Sequence, residues 1–402
     1  MAINYWFEKS ANYTKVIDLL GISKAQYLSI INSIKKVFTQ EWVEKELTKH
    51  DKQSIYSEHL HFELLPGLFK SLPYNPIPVI LGRVTGGYGP LVALIHLGQL
   101  MRVAENEPNV KADMFKRLKG DPPDHISALF ELEVLATFKA EGFSLKKPME
   151  SDGVDFTFEK NNKEILIEAT HRGASWILDL ADKIFMRSFQ RAFDGHSTRF
   201  VRLKLKYKIG YYTDVVVEKI IHKIVEVSHG FSEGFDDPEG NYSIFVEKYE
   251  KGNSLAIEWH DPGECVYESI DSFKSKLQDK QKLKQLLKNP GTYCAVDMRS
   301  LMPCLLAGKD DDAYNVSSKI LRGWLSYASE FLRKHPDVGG IFIWVNHVGG
   351  VKDLIVDNID QNEIILVNAP HHLSEEEASQ LFPFAKLTKD LSWYHGNLDN
   401  SA

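Results

Sequence analysis

The stretch GVDFTFEKNNKEILIEATHRG, residues 153–173, alternates polar and apolar residues on both sides of the pair Asn161-Asn162. Alternation of this kind is typical of β-strands that bury one face. Asn tolerates a positive φ, so this pair can form a two-residue hairpin turn. The sequence therefore predicts a β-hairpin centred on Asn161-Asn162, with strands over residues 153–158 and 163–170.

A turn at this position places Asp155 directly opposite Glu168 in the neighbouring strand. One face of the hairpin then carries the apolar residues Phe156, Phe158, Ile165 and Ile167. The other face carries Asp155, Thr157, Glu159, Glu164, Leu166, Glu168 and Thr170. The apolar face predicts packing on a core, and the polar face collects acids.

Asp155 and Glu168 are opposing carboxylates whose Cβ atoms are expected about 5 Å apart. Like charges at this distance repel unless a cation lies between them, and hard divalent metals prefer oxygen ligands. The alternative is a solvated face whose acids share no ligand. The second strand, ILIEA, is apolar enough for an internal strand, which favours the metal site for these two residues. Glu159 and Glu164 also oppose each other, but near the turn, where we expect water to screen them.

The composition is that of an ordinary globular protein: 402 residues, 43% hydrophobic, 26% charged, with a net charge of −7. A net negative charge argues against non-specific coating of nucleic acid, so any such binding needs a local basic surface. No apolar run approaches the roughly 18 residues of a membrane span. No secretory signal is visible, and the three cysteines form no CxxC pair. We expect a cytoplasmic protein with reduced thiols and no membrane contact.

The order of elements predicts a mixed α/β fold. A helix is expected after the N-cap Ser23, and KGDPPD at 119–124 indicates a domain boundary. We predict a mainly helical domain over 1–120, an α/β core over 121–350 with an insertion near 208–262, and a C-terminal extension over 351–402. Further strands are predicted at 199–207, 254–259, 292–297 and 340–346. Helices are predicted at 125–141, 178–193, 213–228, 266–288 and 314–334.

Three motifs occur in succession: FELEVLATFKAEGF, SDGVDFTF and ILIEAT. A helix carrying Glu, then GxD, then an apolar strand ending in ExK resembles the PD-(D/E)XK nuclease superfamily. The match covers about 125–172 and extends loosely to FKSKLQDKQKLKQLLKNPGTYCAVDM. The resemblance implies a restriction-endonuclease-like αβββαβ core.

The same resemblance implies a metal-dependent hydrolase, an endonuclease acting on DNA rather than RNA, with a role in restriction or anti-phage defence. It also allows a homodimer. Asp155, Glu168 and Glu131 would hold Mg²⁺ or Mn²⁺. Glu131 is preferred to Glu133 because its spacing resembles that of the family and the two point to opposite sides of the helix. Glu133 would then be a surface or salt-bridge residue.

Thr170 stands where the family has Lys. A Thr hydroxyl carries no positive charge, so either another cation completes the site or the site is impaired. The first option adds Thr170 and Lys280 to the predicted catalytic residues, because Lys276, Lys280, Lys284 and Lys288 recur every four residues along one helix ridge. The second option predicts a non-catalytic module that keeps the fold and binds nucleic acid or a protein partner.

Two basic segments are candidates for phosphate contacts. The first, RFVRLKLKYK at 199–208, contains five basic residues and no acid. The second, KIFMRSFQRAF at 183–193, follows the hairpin. The predicted nucleic-acid-binding residues are Arg172, Lys183, Arg187, Arg191, Arg202, Lys204 and Lys206. The alternative for 199–208 is an edge strand whose lysines prevent aggregation.

Overall fold

A computed structural model describes sixteen ranges of the chain. They are residues 22–39, 41–42, 90–120, 122–146, 154–171, 201–207, 219–220, 222–223, 226, 234–238, 242–248, 254–259, 262–298, 311–346, 362–369 and 371–388. The chain divides into two compact units. The first comprises Met1–Arg172, Leu277–Arg299 and Leu325–Ala402, and the second comprises Gly173–Lys276 and Ser300–Trp324.

The fold is mixed α/β, as the sequence predicted. The helices are α1 (Lys24–Val37), α2 (Pro90–Glu105), α3 (Pro108–Arg117), α4 (Pro122–Ala140), α5 (Pro262–Leu277), α6 (Lys280–Lys288), α7 (Asp311–Lys334) and α8 (Glu375–Leu381). The strands are β1 (Ser144–Leu145), β2 (Phe156–Lys160), β3 (Lys163–His171), β4 (Val201–Tyr207), β5 (Gly234–Asp236), β6 (Tyr242–Lys248), β7 (Ser254–Trp259), β8 (Tyr293–Asp297), β9 (Gly340–Asn346), β10 (Asn362–Asn368) and β11 (Lys386–Leu387). Among the described helices, none has the length and apolar character needed to cross a bilayer.

The first unit contains a seven-stranded sheet in the order β1-β2-β3-β8-β9-β10-β11. Strands β3, β8 and β9 run parallel to one another in its centre, and the flanking pairs β2–β3 and β9–β10 are antiparallel. Every residue of β8 is buried, which is expected for a strand covered on both faces. The predicted internal position of the ILIEA strand is confirmed, because β3 lies between β2 and β8.

The hairpin has the predicted register. Phe156 pairs with Ile167 and Phe158 pairs with Ile165. The turn residues Asn161 and Asn162 have φ angles of 54° and 60°, as a two-residue turn of this kind requires. Since the side chains alternate along each strand, this register determines which face of the sheet every acid of the hairpin occupies.

We expect replacement of Asn161 by Ala to lower the free energy of unfolding by about 1 kcal/mol, because Ala is strained at a positive φ where Asn is tolerated. Asn161→Gly adopts this backbone conformation without strain and serves as the matched control. Urea unfolding of both variants measures the difference. Equal stabilities would show that the turn places no demand on this residue.

Helix α4 covers the apolar face of the hairpin with aromatic side chains. Phe138 stacks on Phe158 with a centroid distance of 4.5 Å and an interplanar angle of 10°. Phe130 meets Trp344 of β9 edge-on at 5.2 Å. Aromatic pairs in these geometries add to the stabilisation from buried area. The helix and the central strands therefore share one core.

The helical N-terminal part packs in the same unit as the sheet, in contrast to the predicted separate domain over 1–120. Helix α1 begins with the expected cap at Ser23, which exchanges hydrogen bonds with Gln26. Gly98 of α2 lies so close to Ile30 of α1 that an added Cβ would be 2.4 Å from its Cγ2 atom. The two helices therefore approach closely at this point.

The predicted boundary at KGDPPD is wrong, because α3 and α4 on either side of it both belong to the first unit. Pro122 instead forms the first turn of α4, a position where proline is tolerated because its N–H would have no partner in the helix. The predicted extension over 351–402 is also reassigned, since β10 and β11 complete the seven-stranded sheet. The predicted helix 266–288 is two helices, α5 and α6.

The second unit contains a four-stranded sheet in the order β5-β6-β4-β7. Strand β4 pairs with both β6 and β7, so it is internal and the edge-strand interpretation of 199–208 is wrong. Trp324 in α7 donates a hydrogen bond to the carbonyl oxygen of Ser269 in α5 at 3.1 Å. The unit begins at Gly173 and is therefore larger than the insertion predicted near 208–262. The predicted helix 178–193 lies outside the described residues.

Candidate active site

Asp155 is held beside Glu168 by a hydrogen bond to the backbone of β3. Asp155 directly precedes β2, and its Oδ2 atom accepts a hydrogen bond of 2.8 Å from the backbone N–H of Ala169. Ala169 directly follows Glu168 in β3, and the charge of Glu168 contributes to raising the pKa of Asp155. The predicted juxtaposition of the two acids is therefore confirmed, and their role as metal ligands remains a prediction.

Burial makes ionisation of this acid pair unfavourable. The side chain of Glu168 is completely buried. Burial raises the pKa of Asp155 to about 7, and the negative charges of Glu168 and Glu131 add to the shift. Burial also raises the pKa of Glu168, although a neighbouring ammonium opposes that shift. The folded chain therefore favours the neutral form of these acids more than water does.

The neighbouring ammonium belongs to Lys282 of α6. Its Nζ atom donates to Oε1 of Glu168 and, at 3.1 Å, to the carbonyl oxygen of Ala169. Burial lowers the pKa of Lys282, but the charges of Glu168 and Asp155 outweigh burial and raise that pKa above its usual value. Lys282 is therefore a cation beside the acid pair, which is the first of the two options that Thr170 left open.

The predicted helix was right, but the predicted lysine was wrong. Lys280 is the first residue of α6 and is exposed, whereas Lys282 lies two positions later. Two helical positions correspond to about 200°, so Lys282 and Lys280 point to opposite sides. Lys282 instead shares a face with the buried Leu286, four residues further along. This i, i+4 relation to an apolar residue was the signal that identifies Lys282.

Glu131 lies beside the acid pair, but its carboxylate is held by Arg117. The guanidinium Nη1 and Nη2 atoms of Arg117 contact the two carboxylate oxygens of Glu131, each at 2.6 Å. Ser127 adds a longer hydrogen bond of 3.3 Å. Glu131 is 7% exposed, and its charge raises the pKa of Asp155. Arg117 was not among the predicted site residues, because its segment was assigned to a different domain.

Glu131 does not complete a three-ligand metal site in this structure. Across the ranges that the structure describes, no three His, Cys, Asp or Glu side chains converge as metal ligands. Glu133 is 6% exposed, so of the two expectations for it the surface position is wrong and the salt bridge stays a prediction. The residues that converge are Asp155 and Glu168, with Lys282 on one side and the Arg117–Glu131 pair on the other.

Three oxygen atoms in this region are buried and lack a hydrogen-bond partner among the described residues. They are Oε2 of Glu168 and the hydroxyl oxygens of Thr157 and Thr170. Thr170 is 3% exposed, so its hydroxyl has little access to bulk water. The hydroxyl also carries no charge. An unpartnered buried carboxylate oxygen is unfavourable. A cation or a water molecule at Oε2 of Glu168 would remove that cost.

The acids at the turn of the hairpin have a different partner. Glu159 and Glu164 pair across the strands as expected, but both contact the ammonium of Lys146, at 2.6 Å and 2.5 Å. Their repulsion is thus offset by a lysine that directly follows β1 rather than by water alone. Lys146 and Glu164 are exposed and Glu159 is half-buried, whereas Glu168 is completely buried. Water therefore screens the charges at the turn more than the charge of Glu168.

The structure does not describe the side chains of the predicted nucleic-acid-binding residues. Arg172, Lys183, Arg187 and Arg191 lie outside the described residues. Arg202, Lys204 and Lys206 lie in β4, where the structure describes the strand but not these side chains.

Comparison with known proteins gave no match to a protein-family model, to a curated protein or to a solved structure.

Proposed function

We propose that the chain is a metal-dependent nuclease of the PD-(D/E)XK type that hydrolyses phosphodiester bonds in DNA, with a role in restriction or anti-phage defence. The observation that carries the proposal is the Asp155–Glu168 pair with a lysine ammonium at its side. The proposed αβββαβ core is supported by the succession of α4, β1 and the hairpin, and by α6 and β8 after the intervening segment, with β8 parallel to β3 in the sheet.

The acid pair has the chemical character of a site for Mg²⁺ or Mn²⁺. Both metals prefer carboxylate oxygens, and Oε2 of Glu168 is a buried acceptor that no described residue contacts. Asp155 and Glu168 would hold the metal. When bound, the metal would polarise the scissile phosphate and lower the pKa of a water molecule.

The balance of charge also favours a cation. Asp155, Glu168 and Glu131 carry three negative charges when ionised, and Lys282 and Arg117 supply two positive charges. Burial is the main reason that the pKa of Asp155 is raised to about 7, and the charges of Glu168 and Glu131 add to the shift. A divalent cation would stabilise the ionised form of Asp155. Ionisation of this carboxylate is unfavourable without the metal and would become favourable with it.

Lys282 provides the positive charge that Thr170 does not. An ammonium has three N–H donors, and Lys282 uses two of them on Glu168 and Ala169. The third donor is left for a phosphate oxygen or for a water molecule. A charge fixed in this position stabilises negative charge that develops on the phosphate during hydrolysis. Lys282 thereby replaces the missing motif lysine from a different element of the fold.

A second candidate function is a non-catalytic module that binds nucleic acid or a protein partner. The observation that favours it is the Arg117–Glu131 ion pair, which already neutralises one of the three acids without a metal. The replacement of the motif lysine by Thr170 points in the same direction. In this alternative Lys282 is a structural partner of Glu168 and has no role in hydrolysis.

The test is a cleavage assay with supercoiled plasmid, linear duplex and single-stranded DNA, in Mg²⁺, in Mn²⁺ and in EDTA. We expect cleavage with either metal and none in EDTA. RNA substrates in parallel examine the preference for DNA. Binding of DNA without cleavage in any metal would contradict the nuclease proposal and support the non-catalytic module.

A further inference from the structure

Helix α6 has an unusual sequence, KQKLKQLLK, with four lysines and no acid in nine residues. Lys282 faces inward to Glu168, and Leu286 is buried below it. Lys280 and Lys284 are exposed. They lie four residues apart, and each is about 200° from Lys282, so they share the outer face of the helix. We call Lys280 and Lys284 the basic ridge.

We propose that the basic ridge is a docking surface for the phosphate backbone of DNA that flanks the scissile phosphate. The inference rests on the proposed nuclease function and names a surface for its substrate. Charge complementarity is the first argument, since a run of lysines without acids on a chain of net charge −7 attracts a polyanion locally. The one inward lysine of the same helix reaches the candidate active site.

The position of the ridge relative to the acids is determined by Lys282. Its ammonium binds Glu168 and Ala169, so α6 cannot slide along the sheet without breaking these contacts. The outer face of a helix lies roughly 10–12 Å from its inner face. DNA advances about 3.4 Å per nucleotide along each strand, so this distance corresponds to about three nucleotides. The ridge therefore fits phosphates about three nucleotides from the scissile position.

The N-terminus of α6 is not the source of the attraction. Asp279 accepts hydrogen bonds from the backbone N–H groups of Gln281 and Lys282, each at 3.0 Å. These donors are therefore engaged by the cap, and the carboxylate of Asp279 would repel a phosphate there. The positive charge available to DNA comes from the lysine side chains of the ridge.

The test measures the affinity of the full chain for fluorescently labelled duplex DNA in EDTA, as a function of salt concentration. The ridge variant is Lys280→Gln/Lys284→Gln. Its matched control is Lys36→Gln/Lys334→Gln, which removes the same charge from lysines of α1 and α7 that are 62% and 63% exposed. Each phosphate contact contributes about 0.9 to the slope of log affinity against log salt. The ridge variant should lose up to about 1.8 of this slope, and the control should keep it.

The outcomes separate this inference from the proposed function. A native chain that cleaves DNA, with equal salt slopes for the native chain, the ridge variant and the control, would overturn the docking surface and leave the nuclease intact. A ridge-dependent slope in a chain that never cleaves would support the docking surface within a non-catalytic module. A chain that neither binds nor cleaves DNA would overturn both. Thermal melting of the two variants establishes that each is folded.

In a chain that cleaves, we also expect the ridge variant to raise KM for duplex DNA and to leave kcat close to that of the native chain. The ridge contacts the substrate but not the reacting phosphate, so its loss weakens ground-state and transition-state binding alike. Oligonucleotides too short to reach the ridge should show no difference between native chain and variant. A change in kcat alone would contradict the docking surface.

Discussion

Replacement of Lys282 by Met should lower the free energy of unfolding by about 3 kcal/mol near neutral pH, because it leaves Glu168 buried without a counter-ion. Met keeps much of the aliphatic length of Lys, so packing changes little. In the unfolded state, water hydrates Glu168 fully in both the native chain and the variant. Urea unfolding followed by circular dichroism measures the loss. In a chain that cleaves DNA, we expect the same substitution to remove most of the activity.

Two controls separate the charge from the packing. Lys284→Met removes an exposed lysine of the same helix and should change stability by less than about 0.5 kcal/mol. The double variant Lys282→Met/Glu168→Gln removes both charges and should recover much of the loss, because the buried carboxylate is gone. A double variant as unstable as the single one would show that Lys282 stabilises the fold by packing alone.

The second large effect concerns Asp155. Asp155→Asn keeps an oxygen that can accept from the N–H of Ala169 but removes the carboxylate. We expect it to abolish metal-dependent cleavage while the metal-free protein stays as stable as the native chain, because one of two repelling acids is gone. Mg²⁺ or Mn²⁺ at 100 times its Kd should stabilise the native chain by about 2.7 kcal/mol. The variant should lose most of that gain.

The pKa of Asp155 gives this experiment a pH dependence. The group is protonated more readily in the folded chain, at a pKa of about 7, than in the unfolded chain, where about 3.9 is usual. The folded state thus binds more protons between these values, and stability falls as pH rises through this window. Asp155→Asn should flatten the fall. A metal must displace the proton, so its stabilising effect should be larger near pH 8 than near pH 5.5.

The control for both measurements is Asp337→Asn, a conservative change at an exposed residue of the same unit. It should retain the metal-induced rise in melting temperature and the pH dependence. Two results together would contradict the metal site. The melting temperature of the native chain would be the same with and without either metal, and Asp155→Asn would leave the pH dependence of stability unchanged.

The hairpin was predictable because its determinants are local. Two Asn residues at a turn and a period of two in the flanking residues specify the register, and the register alone brings Asp155 to Glu168. The apolar sequence ILIEA likewise predicted the internal position of β3, and the helix predicted over 125–141 corresponds to α4. These features need only neighbouring residues, and tertiary packing did not override them.

Prediction of the roles of Lys282 and Arg117 required information that no single segment of the sequence contains. The spacing of lysines by four suggested one continuous ridge through Lys280, but Asp279 caps a new helix and the buried Leu286 determines which lysine faces inward. Arg117 was overlooked because two prolines after it were interpreted as a boundary. Which cation reaches a buried acid depends on helix packing, and the sequence specifies that packing only through the whole core.

The contact between Glu168 and Lys282 joins residues 114 positions apart, and the segment Gly173–Lys276 of the second compact unit lies between them in the chain. At a synthesis rate of about 5–20 residues per second, roughly 6 to 23 s separate the appearance of the two side chains at the ribosome. Strands β8 and β9, which complete the centre of the sheet, are made later still. During that interval the nascent hairpin cannot bury Glu168 as an ion pair, so the acid must stay hydrated or protonated. The acid pair therefore gains its lysine partner only after Lys282 has been made, and a nascent chain truncated before this residue lacks the ion pair.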